Sequence, residues 1–185
     1  FLPAPAEEGG TYGGYTRLAS LLKEERQAHP DAITLDGGDF SMGSLFQTIY
    51  TTDAPELRAL GAMGYDAVTV GNHEFDYTGP GFGEMLTAAR RSGEKTPALL
   101  LANYRPEEDS PDRLDLQRAM AAYGVEESML LERGGVTYGI FGLMGRDAHA
   151  CAPTSGFALE APVRAARRCV ERLEEQGAEV IICLS

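Results

Sequence analysis

Apolar positions along this chain switch repeatedly between a helical and a strand period. From Gly14 to Ala28, Leu18, Leu21 and Leu22 fall on one face of a helical repeat and Pro30 closes it, which predicts a helix. Ala32 to Leu35 then reads as a strand, Ser44 to Tyr50 and Ala54 to Met63 as helices, and Asp66 to Val70 as a second strand. Asp53-Ala54-Pro55 is a helix start, because proline at the first helical position gives up an amide that has no partner there anyway. Gly81 to Arg91 reads as helix and Ala98 to Ala102 as strand, after which Asn103 to Asp115 interrupts the alternation with a polar, proline-containing surface loop bordering the strand ends.

The last third repeats the theme with one change. Ser128 to Arg133 and Val136 to Leu143 flank Gly134-Gly135, a dipeptide suited to a tight antiparallel hairpin. Pro162 to Gln176 is an amphipathic helix ended by Gly177, and Glu179 to Ser185 reads as an apolar, buried strand. Helices alternating with buried strands imply an α/β chain with a largely parallel, layered sheet.

Two predicted strands end in glycine turns that carry polar side chains. One is Leu35-Asp36-Gly37-Gly38-Asp39, the other Val70-Gly71-Asn72-His73-Glu74-Phe75-Asp76. In open α/β sheets the ligand crevice lies beyond the carboxyl ends of the strands, so Asp39 and Asn72 stand where a site belongs. A carboxylate can bridge two divalent ions and an amide oxygen can complete a coordination shell without adding charge, which makes Asp39 and Asn72 candidate metal ligands. His73 follows Asn72 directly, and Asp76 is placed to accept a hydrogen bond from its ring, an arrangement that orients an imidazole for acid–base work or transition-state stabilisation. Taken singly, each residue has a plainer reading: Asp39 as a turn or capping aspartate, Asn72 as a turn residue, His73 as a satisfied histidine near a core. Glu74 reads as structural, and the role of Asp36 stays open.

At these residues the chain resembles the calcineurin-like metallophosphoesterases, and among them the 5′-nucleotidase and UDP-sugar hydrolase branch. Three passages carry the resemblance: Tyr12-Gly13-Gly14-Tyr15-Thr16-Arg17-Leu18-Ala19, the Gly38-Asp39 turn with Ser41 to Ser44 after it, and Gly71-Asn72-His73-Glu74-Phe75-Asp76. It implies a layered α/β/β/α metallophosphoesterase sandwich, incomplete in this chain. Asp39 would bridge two divalent metal ions (zinc, manganese, calcium or iron), Asn72 would bind one of them, and His73 with Asp76 would form the catalytic dyad. It also implies an Asp-x-His strand end ahead of Phe1 and further histidines beyond Ser185. Residues 1–185 then read as part of one catalytic domain, without the branch's C-terminal nucleotide-binding domain, inactive alone and completed by missing segments or another chain. The substrate implied is a nucleotide or other small phosphoester, and the location extracellular, periplasmic or cell-surface. The alternative is a non-catalytic binding or structural module that has kept the fold and lost most ligands.

Composition narrows these readings. A length of 185 residues with 43% hydrophobic content suits one domain with a substantial core. A net charge of −12 opposes binding to nucleic acid, except where cations reverse the local field. No apolar run approaches the ~20 residues of a membrane span. Cys151, Cys169 and Cys183 have no metal-ligand spacing; Cys169 and Cys183 read as small core residues, and their disulfide state is open. None lies near His73 in sequence, which argues against a thiol enzyme.

Overall fold

The computed structural model describes residues 2–185 and divides into two compact units, one ending at Ile33 and one beginning at Thr34. In the first, β1 (Ala4–Pro5) and β2 (Thr11–Tyr12) pair antiparallel, and α1 (Tyr15–Ala28) follows. The predicted helix is there, with Leu18 and Leu22 half-buried and Leu21 exposed.

The second unit opens with a parallel sheet of β3 (Leu35–Asp36), β4 (Ala67–Val68) and β5 (Ala98–Leu99), with β4 central. The crossover from β3 to β4 holds a 3-10 turn (Leu45–Ile49), α2 (Tyr50–Asp53) and α3 (Pro55–Ala62). The Ser44 hydroxyl caps the 3-10 turn by accepting from the Phe46 amide, and Pro55 opens α3 as expected. A 3-10 turn over His73–Phe75 and then α4 (Thr78–Ser92) connect β4 to β5. The first strand begins later than the apolar pattern indicates. The Thr34 amide goes to the Asp66 carboxylate at 2.9 Å while its carbonyl accepts from the Asp66 amide at 2.8 Å, and the paired strand runs from Leu35.

Beyond β5 the chain builds β6 (Tyr104–Pro106), α5 (Arg113–Tyr123), β7 (Ser128–Arg133), β8 (Val136–Gly142), α6 (Arg146–Cys151), β9 (Phe157–Leu159), α7 (Pro162–Glu175) and β10 (Val180–Leu184). The Gly134-Gly135 hairpin forms in the expected register, Arg133 opposite Val136, and β10 joins β8 in parallel after the α7 crossover. Two expectations are corrected here. The stretch 103–115 is not wholly a loop: β6 pairs antiparallel with β9 and buries Tyr104 and Pro106 on alternate positions. The last strand is not buried, because it lies at the edge of its sheet, with Val180 and Cys183 exposed and Leu184 alone fully covered. Cys183 is therefore no core residue, whereas Cys169 packs with Phe141, Leu143 and Leu173 beneath α7.

A second packing centre lies behind the strand ends. Phe75, Phe82, Tyr104 and Phe157 pack with ring centroids 5.0 to 6.1 Å apart. Each such side chain contributes roughly 1.5–3 kcal/mol through burial, and Phe75 brings that anchoring directly to the turn carrying His73. His149 sits on α6 with Nδ1 3.0 Å from the Tyr104 hydroxyl, which lies 2.6 Å from Ser155 Oγ.

Candidate active site

The two glycine turns at the ends of β3 and β4 meet backbone to backbone. A Cβ on Gly38, whose φ is 97°, would lie 2.5 Å from the Gly71 nitrogen, and a Cβ on Gly71 would fall on the Asp39 carboxylate. Glycine at both positions is thus a steric requirement of the approach. Asp39 itself takes a left-handed conformation at φ 59°, sparsely populated for a residue with a side chain and held only where the surroundings impose it.

Glu74 imposes it. Its carboxylate is 0% exposed and accepts hydrogen bonds from the Asp39 amide (2.9 Å), the Ser41 amide (3.1 Å) and the Gly71 amide (2.6 Å). One side chain satisfies three donors from two separate turns, which accords with its structural reading. Burial pushes the Glu74 carboxyl up, while the amides aimed at it oppose the rise. Ser41 Oγ donates to the His73 carbonyl at 2.9 Å, and the buried Tyr50 hydroxyl donates to the Glu74 carbonyl at 2.7 Å. Asp36 braces its own turn by accepting from the Gly38 amide at 2.9 Å; burial raises its carboxyl as well.

On this frame the residues singled out from sequence converge. His73 Nδ1 lies 3.1 and 3.2 Å from the Asp76 carboxylate oxygens, and the His73 amide donates to Asp39 Oδ1 at 3.1 Å. Gln47 Nε2 donates to Asp76 Oδ2 at 2.8 Å, fixing the carboxylate from its other side. Asp39 and Asp76 are exposed, while Asn72 and His73 are half-exposed. The contacts made by Ser41, Gln47 and Tyr50 were not legible in the sequence, because isolated polar residues between apolar ones carry no local sign of what they reach. A cavity of about 530 Å³ between α2, α4 and α5, lined among others by Thr51, Gly83, Thr87 and Arg91, includes none of Asp39, Asn72, His73 or Asp76.

Asp39 and Asn72 offer two oxygen donors, of the hard kind that suits divalent cations. A two-ion centre needs a fuller shell. Among the described residues no group of three or more His, Cys, Asp or Glu is arranged to hold a metal ion. These residues on their own therefore do not make up a two-metal site.

The fold recurs in known proteins. No family model matches the chain. A probable 5′-nucleotidase of Treponema pallidum (strain Nichols) is 28% identical over 176 residues, covering 94% of this chain and 27% of that protein. The 5′-nucleotidase precursor of Thermus thermophilus superposes with a TM-score of 0.78 at 24% identity, over 99% of this chain and 34% of its own. The calcineurin-like phosphoesterase YfkN of Bacillus subtilis superposes with a TM-score of 0.70 at 18% identity, over 96% of this chain and 55% of its own. The chain thus shares the fold of these proteins, the incomplete α/β/β/α sandwich anticipated from the motifs. The relatives it resembles in sequence are named as nucleotidases and apyrases, and the chain spans about a third or less of the length of the nucleotidases it matches.

Proposed function

We propose that this chain supplies part of the catalytic centre of a metal-dependent phosphoester hydrolase of the 5′-nucleotidase type, with His73 and Asp76 as its acid–base dyad and Asp39 and Asn72 among its metal ligands. The observation that carries the reading is the 3.1 Å contact between His73 and Asp76 on a turn whose own His73 amide reaches Asp39. Divalent ions, when bound, polarise a phosphoryl group and generate a nucleophile from water. The residues of this chain do the rest. With Nδ1 held by Asp76, the His73 ring has a fixed orientation and its Nε2 is left for the substrate. In its protonated form the ring can donate to a phosphoryl oxygen or to the departing oxygen. Gln47 keeps Asp76 from swinging away as the ring changes charge. A nucleotide is the substrate favoured by the named relative, and an extracellular, periplasmic or cell-surface location is part of the same proposal. Among the described residues no helix is long and apolar enough to cross a membrane.

The shortage of donors around Asp39 and Asn72 also suits a non-catalytic module. Metal content and turnover of the intact gene product separate the two. In a hydrolase, His73→Ala lowers turnover by roughly 10²–10⁴ and leaves bound metal unchanged, whereas Asp39→Ala loses both. Equal metal loss in both variants would refute this division of roles, and a wild-type protein that holds no metal and cleaves no 5′-nucleotide would leave the module reading standing.

A further inference from the structure

The packing of α7 on its sheet brings two cysteines to one place. On β8, Gly139 lies against α7 and the turn after it: a Cβ there would meet Leu173 and Ala178 at 3.0 Å. Alternate residues of a strand share a face, so Phe141, two positions on, points at the same helix, and it packs in one cluster with Cys169 and Leu173. Two strand residues advance roughly 7 Å, and the four helical residues from Leu173 back to Cys169 advance roughly 6 Å, which sets Cys169 over the level of Phe141. Cys183 is the register partner of Phe141 in β10 and stands beside it on the same face. Ile181, two positions earlier on that face, packs against the cluster that holds Cys169.

The two thiols differ in access. Cys169 is 0% exposed, whereas Cys183 is open to solvent. Burial raises the Cys183 thiol and a charge on Cys169 raises it further, so the sulfurs stand within electrostatic reach of each other. Among the described residues β10 is the edge of its sheet and pairs with β8 alone, so it can draw closer to α7 without breaking a second ladder. Its end also touches the site's own frame. A Cβ on Gly37 would lie 4.0 Å from the Ser185 carbonyl, which places the end of β10 against the turn that carries Asp39.

We propose that Cys169 and Cys183 are a redox pair that closes into a disulfide and staples β10 to α7, with the exposed Cys183 as the entry thiol and the buried Cys169 as the resolving one. The reaction is thiol–disulfide exchange with a small-molecule disulfide such as glutathione disulfide. The Cys183 thiolate attacks one sulfur of that molecule, its S–S bond breaks and one glutathione leaves; Cys169 then attacks Cys183 Sγ and releases the second. Two protein thiols are oxidised to one disulfide, the small disulfide is reduced to two thiols, and the two protons lost by the protein end on them. The thiolate is the attacking form, so the bond forms faster as pH rises.

The test incubates the protein with glutathione disulfide in mildly alkaline buffer, alkylates the remaining thiols, digests the product and maps the peptides by mass spectrometry. The expected result is one linked peptide pair joining Cys169 to Cys183 with no glutathionyl group left on either, reversed by dithiothreitol. Cys169→Ser should keep a glutathionyl group on Cys183, and Cys183→Ser should leave Cys169 unmodified. In the oxidised protein, amide hydrogen exchange at Ile182, Cys183 and Leu184 should slow at least tenfold. A wild-type protein that holds glutathione on Cys183 while Cys169 is alkylated overturns the proposal, as does a Cys183 that does not react or that links to Cys151 or to a second copy of the chain. A bond that forms with exchange unchanged refutes the staple. These wild-type outcomes decide the matter even if a variant fails to fold.

Discussion

Two glutamates of this protein are equally hidden from water and live in opposite circumstances. Glu74 is 0% exposed and gathers three amide donors from two turns; Glu56, on the first turn of α3, is 2% exposed and, among the described residues, neither of its carboxylate oxygens has a hydrogen-bond partner. Burial raises Glu56 to about 7, its own backbone amide opposing the rise and the nearby charge of Glu74 adding to it. Burial by itself therefore says little about a carboxylate. Bonded by amides, it becomes a fastening; left without them, it becomes a group whose proton decides its cost.

Glu74→Ala leaves three amides in the interior without an acceptor, each worth roughly 1–3 kcal/mol, so a stability loss of at least about 3 kcal/mol is expected in urea unfolding, together with displaced amide signals for Asp39 and His73. A loss below about 1 kcal/mol would mean that the turns hold without the carboxylate.

Gly71→Ala sharpens the same point from the other turn. The new methyl falls on the Asp39 carboxylate, and roughly 1–3 kcal/mol of strain is expected. The cost should shrink clearly in an Asp39→Ala background, since residues in contact are non-additive. Additive losses would show that the obstruction is with backbone and not with Asp39.

Glu56 should show itself through pH. Its folded carboxyl titrates near 7 and its unfolded one in the ordinary range, so the folded state binds more protons between them. Its contribution to stability is fully present below the unfolded value and disappears as pH rises through about 7, on the order of 1–3 kcal/mol between about pH 5 and 8. Glu56→Gln should flatten that fall in thermal melts, leaving only the slope from other groups such as Glu74. Identical slopes in variant and wild type would contradict a proton-dependent Glu56. The smallest effect is expected for His73→Ala, within about 0.5 kcal/mol, because the half-exposed ring fastens nothing, in contrast to its neighbour Glu74.

Much of the fold was legible because it follows local rules. The hairpin at Gly134-Gly135, the amphipathic α7 and the Pro55 start of α3 are written in adjacent residues. What escaped has non-local causes. Tyr104–Pro106 became a strand because Phe157–Leu159 pairs with it, and Cys183 stayed exposed because β10 took the edge of its sheet. At the start of β3, the Asp66 side chain takes the Thr34 amide across 32 positions.

The site divides in the same way. Sequence by itself determined which side chains stand at the strand ends, since Gly38-Asp39 and Gly71-Asn72-His73-Glu74-Phe75-Asp76 are contiguous runs, and it allowed the His73–Asp76 contact, which spans a single turn. Only the tertiary structure decided that Glu74 would join both turns, that Gln47 would bind Asp76 from outside the motif, and that Glu56 would be buried without a donor. Those outcomes depend on which backbone amides reach a given carboxylate once separate segments pack together, and no pattern of neighbouring residues specifies that.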